Sequence, residues 1–428
     1  MTVRTDAAYA AELDRDDPLA PFRERFYLPP GGLYFDGNSL GLLSRDAEAA
    51  TLRALDEWKR LAIDGWLNAP TPWYHLGEEL GRLSAPLIGA APDEVVVTGT
   101  TTVNLHNLVA TFYRPEGARR KIVAAALDFP SDLYALRSQL ALHGADPEAD
   151  LVLVPGRDGR GVEEADIIAA LGDETALLVL PSVLYRSGQL LDIAALTAAA
   201  RARGVVAGFD CCHSIGAIPH RFDEWGVDFA FWCGYKYLND GPGGTAGLYV
   251  NRRHFGRAPG LTGWWGSHKE RQFDLATRFD PAPGAGAWQI STVQVLSSAP
   301  LHGSLLIFAE AGIERVHAKS LALTRYLIDL LDASGLTAPP YGYAIGTPRE
   351  DARRGGHVAV EHPEGVRIVR ALKARGVVPD FRQPDIIRLA PVALYTSFRD
   401  VWHVVQHLRA IVDGREYEAY RGARELVA

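Results

Sequence analysis

Between residues 95 and 250, short apolar runs rich in β-branched residues alternate with stretches that have a helical pattern. The runs are Val95-Val96-Val97, 121–126, 151–154, 176–180, 205–209 and 227–233. Because they are apolar throughout and separated by helices, they predict an α/β fold with a mostly parallel sheet covered on both faces. Ligands of such sheets bind beyond the carboxyl ends of the strands. We therefore expect the functional site at that edge.

Polar residues follow several of these runs, at the points where the predicted strands end. They are Thr98 to Thr102, Phe129 to Asp132, Ser182, Asp210 and Lys236. Because the carboxyl ends of parallel strands meet at one edge of a sheet, these residues are expected to converge. Their convergence, more than any one of them, predicts a site for a small molecule.

Asp210 and Lys236 are the most informative pair, because an acid ends one apolar strand and a lysine ends another 26 residues later. Pyridoxal 5′-phosphate (PLP) requires such a pair. The lysine carries the cofactor as a Schiff base, and the carboxylate keeps the ring nitrogen protonated and the ring electron-poor. Tyr235 could be a packed aromatic residue, but its better role is to offer its hydroxyl to the phosphate or to a proton transfer.

Two further segments have both a structural and a functional interpretation. The hydroxyl residues from Thr98 to Thr102 precede a helical run at 105–112 and could simply cap it. The same helix start attracts phosphate, which is the better interpretation beside a PLP lysine. The segment Phe129-Pro130-Ser131-Asp132 could be only a turn. Its functional interpretation places Phe129 against the pyridine ring and uses Asp132 as a polar anchor.

The remaining candidates are a histidine after the sheet and an arginine near the carboxyl terminus. Asp210 and His213 could separately be a helix cap and an interior histidine, but together they suit a PLP ring. The sequence Cys211-Cys212-His213 predicts no metal site, because adjacent residues cannot easily surround one tetrahedral ion. Arg388 ends a short apolar run. It is either a surface ion pair or the fork that holds a substrate α-carboxylate.

The chain length predicts two domains, since 428 residues with 47% hydrophobic content can bury a large core. We expect a large PLP-binding domain over 50–300, and a smaller α+β domain formed by 1–49 together with 301–428. An amphipathic helix is predicted over 312–335. The charged segment 341–356 is expected to be exposed.

Charge and cysteine content limit the partners and the compartment. The 44 basic and 52 acidic residues give a net charge of −8, which suits neither nucleic acid nor an anionic membrane. The sequence has no apolar run of the roughly 18 residues that a membrane span needs. Three cysteines are too few for a disulfide framework, so a cytoplasmic location is expected.

Taken together, the motifs resemble those of the kynureninases, PLP-dependent enzymes of fold type I in the aminotransferase class V group. The resemblance runs nearly from end to end and keeps the family's order. Its motifs are Tyr34 to Gly41, Thr102 to His106, Phe129 to Asp132, Tyr185 to Gln189, Trp225 to Ala230, Tyr235 to Asn239, Gly263 to Gly266 and Arg388 to Tyr395.

This resemblance implies hydrolytic cleavage of the Cβ–Cγ bond of L-kynurenine to anthranilate and L-alanine, in tryptophan degradation. It implies a homodimer, in which Trp264 and Thr292 reach the phosphate of the partner's site. The implied catalytic residues are Lys236, Tyr235 and Asp210. The implied cofactor-binding residues are Thr101, Thr102, Phe129, Asp132, Ser182, Asp210, His213, Tyr235, Lys236, Trp264 and Thr292, and the implied substrate-binding residues are Arg388, Ser39 and Trp66.

Two positions depart from the animal members of the family, which favour 3-hydroxykynurenine. Trp66 stands where they carry a histidine, and Thr292 stands where they carry an asparagine. The chain is therefore similar to the bacterial members, and we expect it to prefer L-kynurenine.

Two other functions stay open at this point. A cysteine desulfurase has the same fold, but its chemistry needs a thiol on a mobile loop, whereas all three cysteines here lie on or beside predicted strands. A PLP-fold protein that only binds or regulates is the second alternative. The presence of Asp210, Lys236 and Arg388 together argues against it.

Overall fold

The computed structural model describes residues 4–422. Its strands are β1 (Leu33–Tyr34), β2 (Val95–Val97), β3 (Lys121–Ala125), β4 (Leu151–Val154), β5 (Thr175–Pro181), β6 (Val206–Asp210), β7 (Phe229–Cys233), β8 (Ala246–Val250), β9 (Ala344–Ile345), β10 (Val358–Glu361), β11 (Val377–Val378), β12 (Asp380–Arg382) and β13 (Ile386–Leu389). The six runs that the sequence identifies all become strands of one sheet.

The α-helices surround this sheet and continue into the carboxyl-terminal part of the chain. They are α1 (Ala7–Arg15), α2 (Arg45–Leu61), α3 (Gly65–Asn68), α4 (Leu76–Ile88), α5 (Thr101–Phe112), α6 (Pro130–Leu142), α7 (Glu164–Ala170), α8 (Ile193–Ala202), α9 (Phe222–Trp225), α10 (Val295–Ala311), α11 (Ile313–Ala333), α12 (Gly365–Ala374) and α13 (Phe398–Asp413).

The large sheet has seven strands in the order β2-β8-β7-β6-β5-β3-β4. Strands β3 to β7 pair in parallel, and only β8 runs antiparallel to its neighbours β2 and β7. The prediction of a mostly parallel sheet is therefore confirmed. Strand β8 was not predicted from the sequence.

Strand β5 shows why the central strands are apolar along their whole length. Leu178 and Leu180 pack into the hydrophobic core on one face of the sheet, and Leu177 and Val179 pack into the core on the other. Since successive side chains of a strand point to opposite faces, a sheet covered on both sides requires apolar residues at every position.

The strand order reverses between β3 and β5, because β4 lies outside β3 while β5, β6 and β7 follow on the other side. The parallel strands and β2 end at the same edge. A crevice at such a reversal is where α/β sheets bind their ligands. The topology therefore positions a site beyond the ends of β3, β5, β6 and β7.

A second, antiparallel sheet has the order β12-β13-β10-β9. The predicted helix at 312–335 is confirmed as α11. Its Val316 packs into the core that also contains Leu178 of the large sheet, whereas its Leu323 packs into a separate core beside the second sheet. Helix α10 crosses residue 300, and its Leu305 packs into the same core as Val316. The two-domain division stays a prediction, and both of its boundaries fall inside helices, the first in α2 and the second in α10.

The segment 341–356 is exposed only in part. Thr347 and Arg354 are 3% and 1% exposed, and Arg354 Nε donates to Thr324 Oγ1 at 3.0 Å. The prediction of an exposed segment is therefore wrong for these residues, because a guanidinium with buried acceptors packs inside while the neighbouring charges face water. Within residues 4–422, no helix has the length and apolarity needed to cross a bilayer.

Candidate cofactor and substrate site

A cavity of about 110 Å³ lies beyond the carboxyl ends of the parallel strands. Eight of the predicted site residues line it: Thr101, Thr102, Phe129, Asp132, Asp210, His213, Tyr235 and Lys236. They come from four separate segments, as the argument from strand ends predicts. The same wall contains four residues with polar or reactive side chains to which sequence reasoning gave no role in the site, namely Asp128, Ser131, Tyr185 and Cys212.

Lys236 follows β7 and presents its amine to this cavity. Its Nζ lies 2.9 Å from His213 Nε2. Burial, and then the nearby Lys236, hold the pKa of His213 well below its usual value, so the imidazole is neutral and can accept a hydrogen bond from the amine. The other ring nitrogen, Nδ1, is buried and has no partner among residues 4–422. The imidazole of His213 is therefore held beside the amine, and its Nδ1 has no hydrogen-bond partner among the described residues.

The turn that carries Lys236 is held by the amino-terminal segment. Gly41 N donates to Tyr235 O at 2.7 Å. A Cβ at position 41 would overlap the Lys236 carbonyl oxygen and the Asn239 side chain. Glycine is required there because two backbones approach each other closely. This contact explains why the segment 34–41 belongs with the site despite its distance along the chain.

Three buried carboxyl groups face the same cavity, from Asp128, Asp132 and Asp210. Asp210 Oδ1 accepts from Cys212 N at 2.7 Å, which fixes the carboxylate at the end of β6. Burial, together with the negative charge of Asp210, raises the pKa of both Asp128 and Asp132 well above the usual value. One oxygen of each of these two has no hydrogen-bond partner in the described chain. Such a cluster is stabilised by a cationic or proton-donating group in the cavity, as a protonated pyridine is.

The hydroxyl residues lie at the start of α5, which begins at Thr101 rather than near residue 105. Thr100 is the N-cap residue, but its side chain makes no capping hydrogen bond, so the capping interpretation is wrong at this helix. Thr102 Oγ1 lies 2.9 Å from Ser131 Oγ, which draws two hydroxyl groups together at the cavity. Uncapped N–H groups and paired hydroxyls form a suitable environment for phosphate.

Two aromatic rings flank the opening. Phe129 is 45% exposed, and its ring meets that of Tyr185 edge to face, with centroids 5.2 Å apart. Phe129 therefore has a free surface available for a planar ligand.

Ser182 lies behind the wall of the cavity. Its hydroxyl donates to the Asp210 carbonyl oxygen at 2.8 Å and lies 2.7 Å from Ser214 Oγ. Through these contacts it supports the backbone that carries Asp210. Direct contact between Ser182 and a cofactor stays a prediction.

Arg388 is 1% exposed, so the alternative of a surface ion pair is wrong. Its Nε donates to Asp380 Oδ2 at 2.6 Å, its Nη1 to Tyr185 O at 2.7 Å, and its Nη2 to Ser39 Oγ at 3.0 Å. Since Tyr185 lines the cavity, the guanidinium lies directly behind it. Two predicted substrate-binding residues, Arg388 and Ser39, are thus in contact.

The other three predicted residues, Trp66, Trp264 and Thr292, lie together in a second cavity of about 700 Å³. The Trp66 and Trp265 rings are 5.4 Å apart, and Trp264 is 49% exposed. This aromatic cavity is the larger of the two, but its wall carries neither a histidine beside a lysine nor a cluster of buried acids. The Lys236 cavity is therefore the better candidate for the chemistry.

The chemistry of these donors fits PLP. A single amine, a neutral histidine, unpartnered buried carboxyl oxygens and hydroxyls at a helix start share one cavity. In the part of the chain that the structure describes, no group of three or more His, Cys, Asp or Glu is arranged to hold a metal ion.

Comparison with solved structures gives the class of fold. The cysteine desulfurase from Thermococcus onnurineus NA1 is similar, with a TM-score of 0.77 over 92% of this chain and 98% of that chain, at 18% sequence identity. The cystine C–S lyase C-DES, in complex with cysteine persulfide, gives 0.74 over 88% and 97%, at 20% identity. The chain therefore has the fold of the type I PLP-dependent enzymes, which confirms the predicted fold class.

Comparison of sequences identifies the family within that class. The kynureninase of Geobacillus thermodenitrificans (strain NG80-2) is 58% identical over 420 residues, which cover 98% of this chain and 97% of the relative. The kynureninase of Shouchella clausii (strain KSM-K16) is 53% identical with the same coverage. A family model described as the kynureninase C-terminal domain matches residues 316–408. The chain belongs to the kynureninase family.

Proposed function

We propose that this protein is a PLP-dependent hydrolase that cleaves L-kynurenine to anthranilate and L-alanine. Membership of the kynureninase family supports the reaction. One observation in the structure supports it most: Lys236 Nζ lies 2.9 Å from a neutral His213 in a cavity that also contains the Asp210 carboxylate. An amine and a fixed acid in one cavity are what the cofactor needs.

When bound, PLP supplies an electron-poor ring that stabilises negative charge on the substrate's carbon atoms. Lys236 holds the cofactor covalently through Nζ. Asp210 keeps a proton on the ring nitrogen, and its own position is set by the hydrogen bond from Cys212 N. The uncapped start of α5, with Thr101 and Thr102, binds the phosphate.

The same residues move the protons of the reaction. Lys236 Nζ, which faces the cavity, would remove the proton from the substrate Cα. His213 stays neutral and accepts a hydrogen bond from this amine, so it directs the lysine without competing for the proton. Burial, and then the neighbouring Cys233, raise the pKa of Tyr235, so its hydroxyl remains protonated at neutral pH. It can therefore donate a proton to Cβ when the Cβ–Cγ bond breaks.

Arg388 and Ser39 hold the substrate. The guanidinium is oriented by Asp380, and its Nη atoms reach Tyr185 O and Ser39 Oγ. A substrate α-carboxylate would replace these weaker acceptors, because a charged acceptor forms stronger hydrogen bonds with arginine. The γ-carbonyl of the substrate is then fixed, and water adds to it before the Cβ–Cγ bond is hydrolysed.

We also propose that two chains form each site. The support is that Trp66, Trp264 and Thr292 share an aromatic cavity of their own, with Trp264 half exposed. A second chain that brings these residues to the Lys236 cavity would cover them. The hydroxyl group of 3-hydroxykynurenine would need a hydrogen-bond acceptor, and the indole of Trp66 has none. Trp66 therefore favours L-kynurenine over 3-hydroxykynurenine. Sedimentation of the holoenzyme, with Trp66→His assayed on both substrates, tests these two points.

We further propose that the protein is cytoplasmic, which is supported by its three free and buried cysteines. We also propose that the chain divides into a large domain over 50–300 and a smaller domain formed by 1–49 together with 301–428. Cell fractionation tests the first, and limited proteolysis the second.

The central test combines borohydride reduction with an anthranilate assay. Borohydride should fix the cofactor on the peptide that contains Lys236, and Lys236→Ala should lose both this label and the release of anthranilate. Lys121→Ala, at a lysine paired with Glu174 far from the cavity, is the matched control and should keep both. A labelled protein that releases no anthranilate would be a binding module, and sulfide release from cysteine would support the desulfurase instead.

A further inference from the structure

Two cysteines meet at the ends of adjacent parallel strands, next to the cofactor cavity. Asp210 at the end of β6 is opposite Phe231 of β7, and Cys211 N continues the ladder by donating to Phe231 O at 2.8 Å. Cys212 lies in the turn that follows β6, and Cys233 is the last residue of β7. The two are in contact, because Cys233 N donates to Cys212 Sγ at 3.2 Å. The two side chains are only 4% and 1% exposed.

This placement suits a disulfide. Cys212 Sγ already lies 3.2 Å from the backbone nitrogen of Cys233. The Cα atoms of disulfide-linked cysteines are usually about 4.4–6.8 Å apart, so a disulfide requires close neighbours of this kind.

The surroundings of the two thiols divide their roles. Burial raises the pKa of Cys212 well above its usual value. Burial also opposes ionisation of Cys233, but the neighbouring Cys212 and the charge of Lys236 lower its pKa overall. Cys233 therefore ionises more readily than Cys212, and the thiolate is the nucleophile in disulfide formation.

Only one of the three cysteines is reached from the cavity. Cys212 forms part of the cavity wall. Cys211 is 0% exposed and its Sγ lies 3.9 Å from Phe209 O, within the core. A small oxidant that enters the cavity therefore meets the Cys212 sulfur, with Cys233 immediately behind it.

We propose that Cys212 and Cys233 form an oxidative modification site, in which a peroxide converts the two thiols into a disulfide. The Cys233 sulfur acts as a base and takes the Cys212 thiol proton while the Cys212 sulfur takes one oxygen from hydrogen peroxide. That proton then leaves with the displaced hydroxide as the first water. The Cys233 sulfur then attacks the sulfur of Cys212 and expels the hydroxyl group, which leaves with the remaining thiol proton as a second water. The two electrons released by the two thiols reduce the oxygen–oxygen bond, so the step is balanced.

The disulfide would act on cofactor retention, because both cysteines support residues of the cavity. Cys212 N holds the Asp210 carboxylate, and burial, followed by the closeness of Cys233, raises the pKa of the Tyr235 hydroxyl. Joining the sulfurs changes the surroundings of that hydroxyl and constrains the backbone beside Asp210. A bound cofactor, in turn, fills the cavity through which the oxidant must pass. Oxidation is thus faster in cofactor-depleted protein, and it reduces the rebinding of PLP.

The test uses the full-length protein with and without PLP, exposed to hydrogen peroxide and then alkylated under denaturing conditions. In cofactor-depleted protein, the free thiols should fall from three per chain to one. Peptide mapping should find Cys212 linked to Cys233, and dithiothreitol should restore both the thiols and PLP binding. Equal oxidation rates with and without PLP would overturn the proposed route of access.

Three single substitutions make the test specific. Cys211→Ala is the matched control and should form the same link, because its sulfur faces away from the pair. Cys212→Ser and Cys233→Ser should each abolish it. A link between Cys211 and Cys212, or only over-oxidised Cys212 in the unsubstituted protein, would overturn the proposal. None of these readouts requires substrate, so the inference and the proposed hydrolase activity fail independently.

Discussion

Replacing Arg388 by alanine tests the link between the buried ion pair and substrate binding. In the structure, Asp380 is fully buried and accepts from Arg388 Nε at 2.6 Å. Breaking such a pair from one side costs about 3–5 kcal/mol. Arg382 Nη1 remains 3.0 Å from the other oxygen of Asp380, although without hydrogen-bond geometry. We therefore expect Arg388→Ala to lower the free energy of unfolding by about 2–4 kcal/mol.

The same substitution removes the proposed partner of the substrate α-carboxylate. A hydrogen bond to a charged group contributes about 1.5–3 kcal/mol, so the KM for L-kynurenine should rise about 10- to 100-fold. The kcat should change less, because the carboxylate is held equally before and during bond cleavage. Arg388→Lys keeps the charge but not the forked guanidinium, and its KM should lie between those of the unsubstituted protein and Arg388→Ala.

Steady-state release of anthranilate and thermal denaturation of the holoenzyme measure both effects. Arg382→Ala is the matched control, since it removes a cation beside Asp380 but neither contact to Ser39 nor to Tyr185. It should lose stability with a much smaller rise in KM. An unchanged KM in Arg388→Ala, or a fall confined to kcat, would show that this arginine does not bind the carboxylate.

Three further predictions concern other parts of the site. Burial, and then Asp380, raise the pKa of Asp36 to about 6. The folded state thus favours the protonated form, and stability should fall as pH rises from about 4 to about 6. When thermal denaturation is measured over a series of pH values, Asp36→Asn should not show this fall. If Asp36→Asn and the unsubstituted protein had the same dependence of stability on pH, the fall would not be due to Asp36. Gly41→Ala should lose about 1–3 kcal/mol of stability, because its Cβ overlaps the Lys236 backbone, and cofactor absorbance should fall with it. Asp210→Asn should keep the fold by circular dichroism but lower kcat on the order of 10², and an unchanged rate would exclude Asp210 as the ring's partner.

The sequence predicts the sheet well and its last strand poorly. Runs such as 176–180 are apolar because both faces of the sheet are buried, so they are visible without any structure. Strand β8 begins just after a glycine-rich turn and contains Gly247, which would meet the Trp232 ring if it had a Cβ. Its glycine reflects close packing against a residue from another strand, and such a contact cannot be predicted from local pattern.

The site shows the same division between local and long-range information. Position after a strand is enough to bring Asp210, His213 and Lys236 together, because parallel strands end at one edge. It does not tell which way a side chain turns, so Ser182 supports the wall from behind. Asp128 also follows a strand. The signal that could have identified it is its position directly before the predicted segment Phe129 to Asp132.

The hydrogen bond from Gly41 to Tyr235 joins positions that are 194 residues apart in the chain. Contacts of such separation form late, after shorter loops have closed. The helices on both faces of the sheet would thus pack before the hydrogen bond from Gly41 stabilises the turn that carries Lys236. Damage to the segment around Gly41 would then produce a folded but colourless protein, so that yellow colour, rather than yield, reports whether maturation has finished.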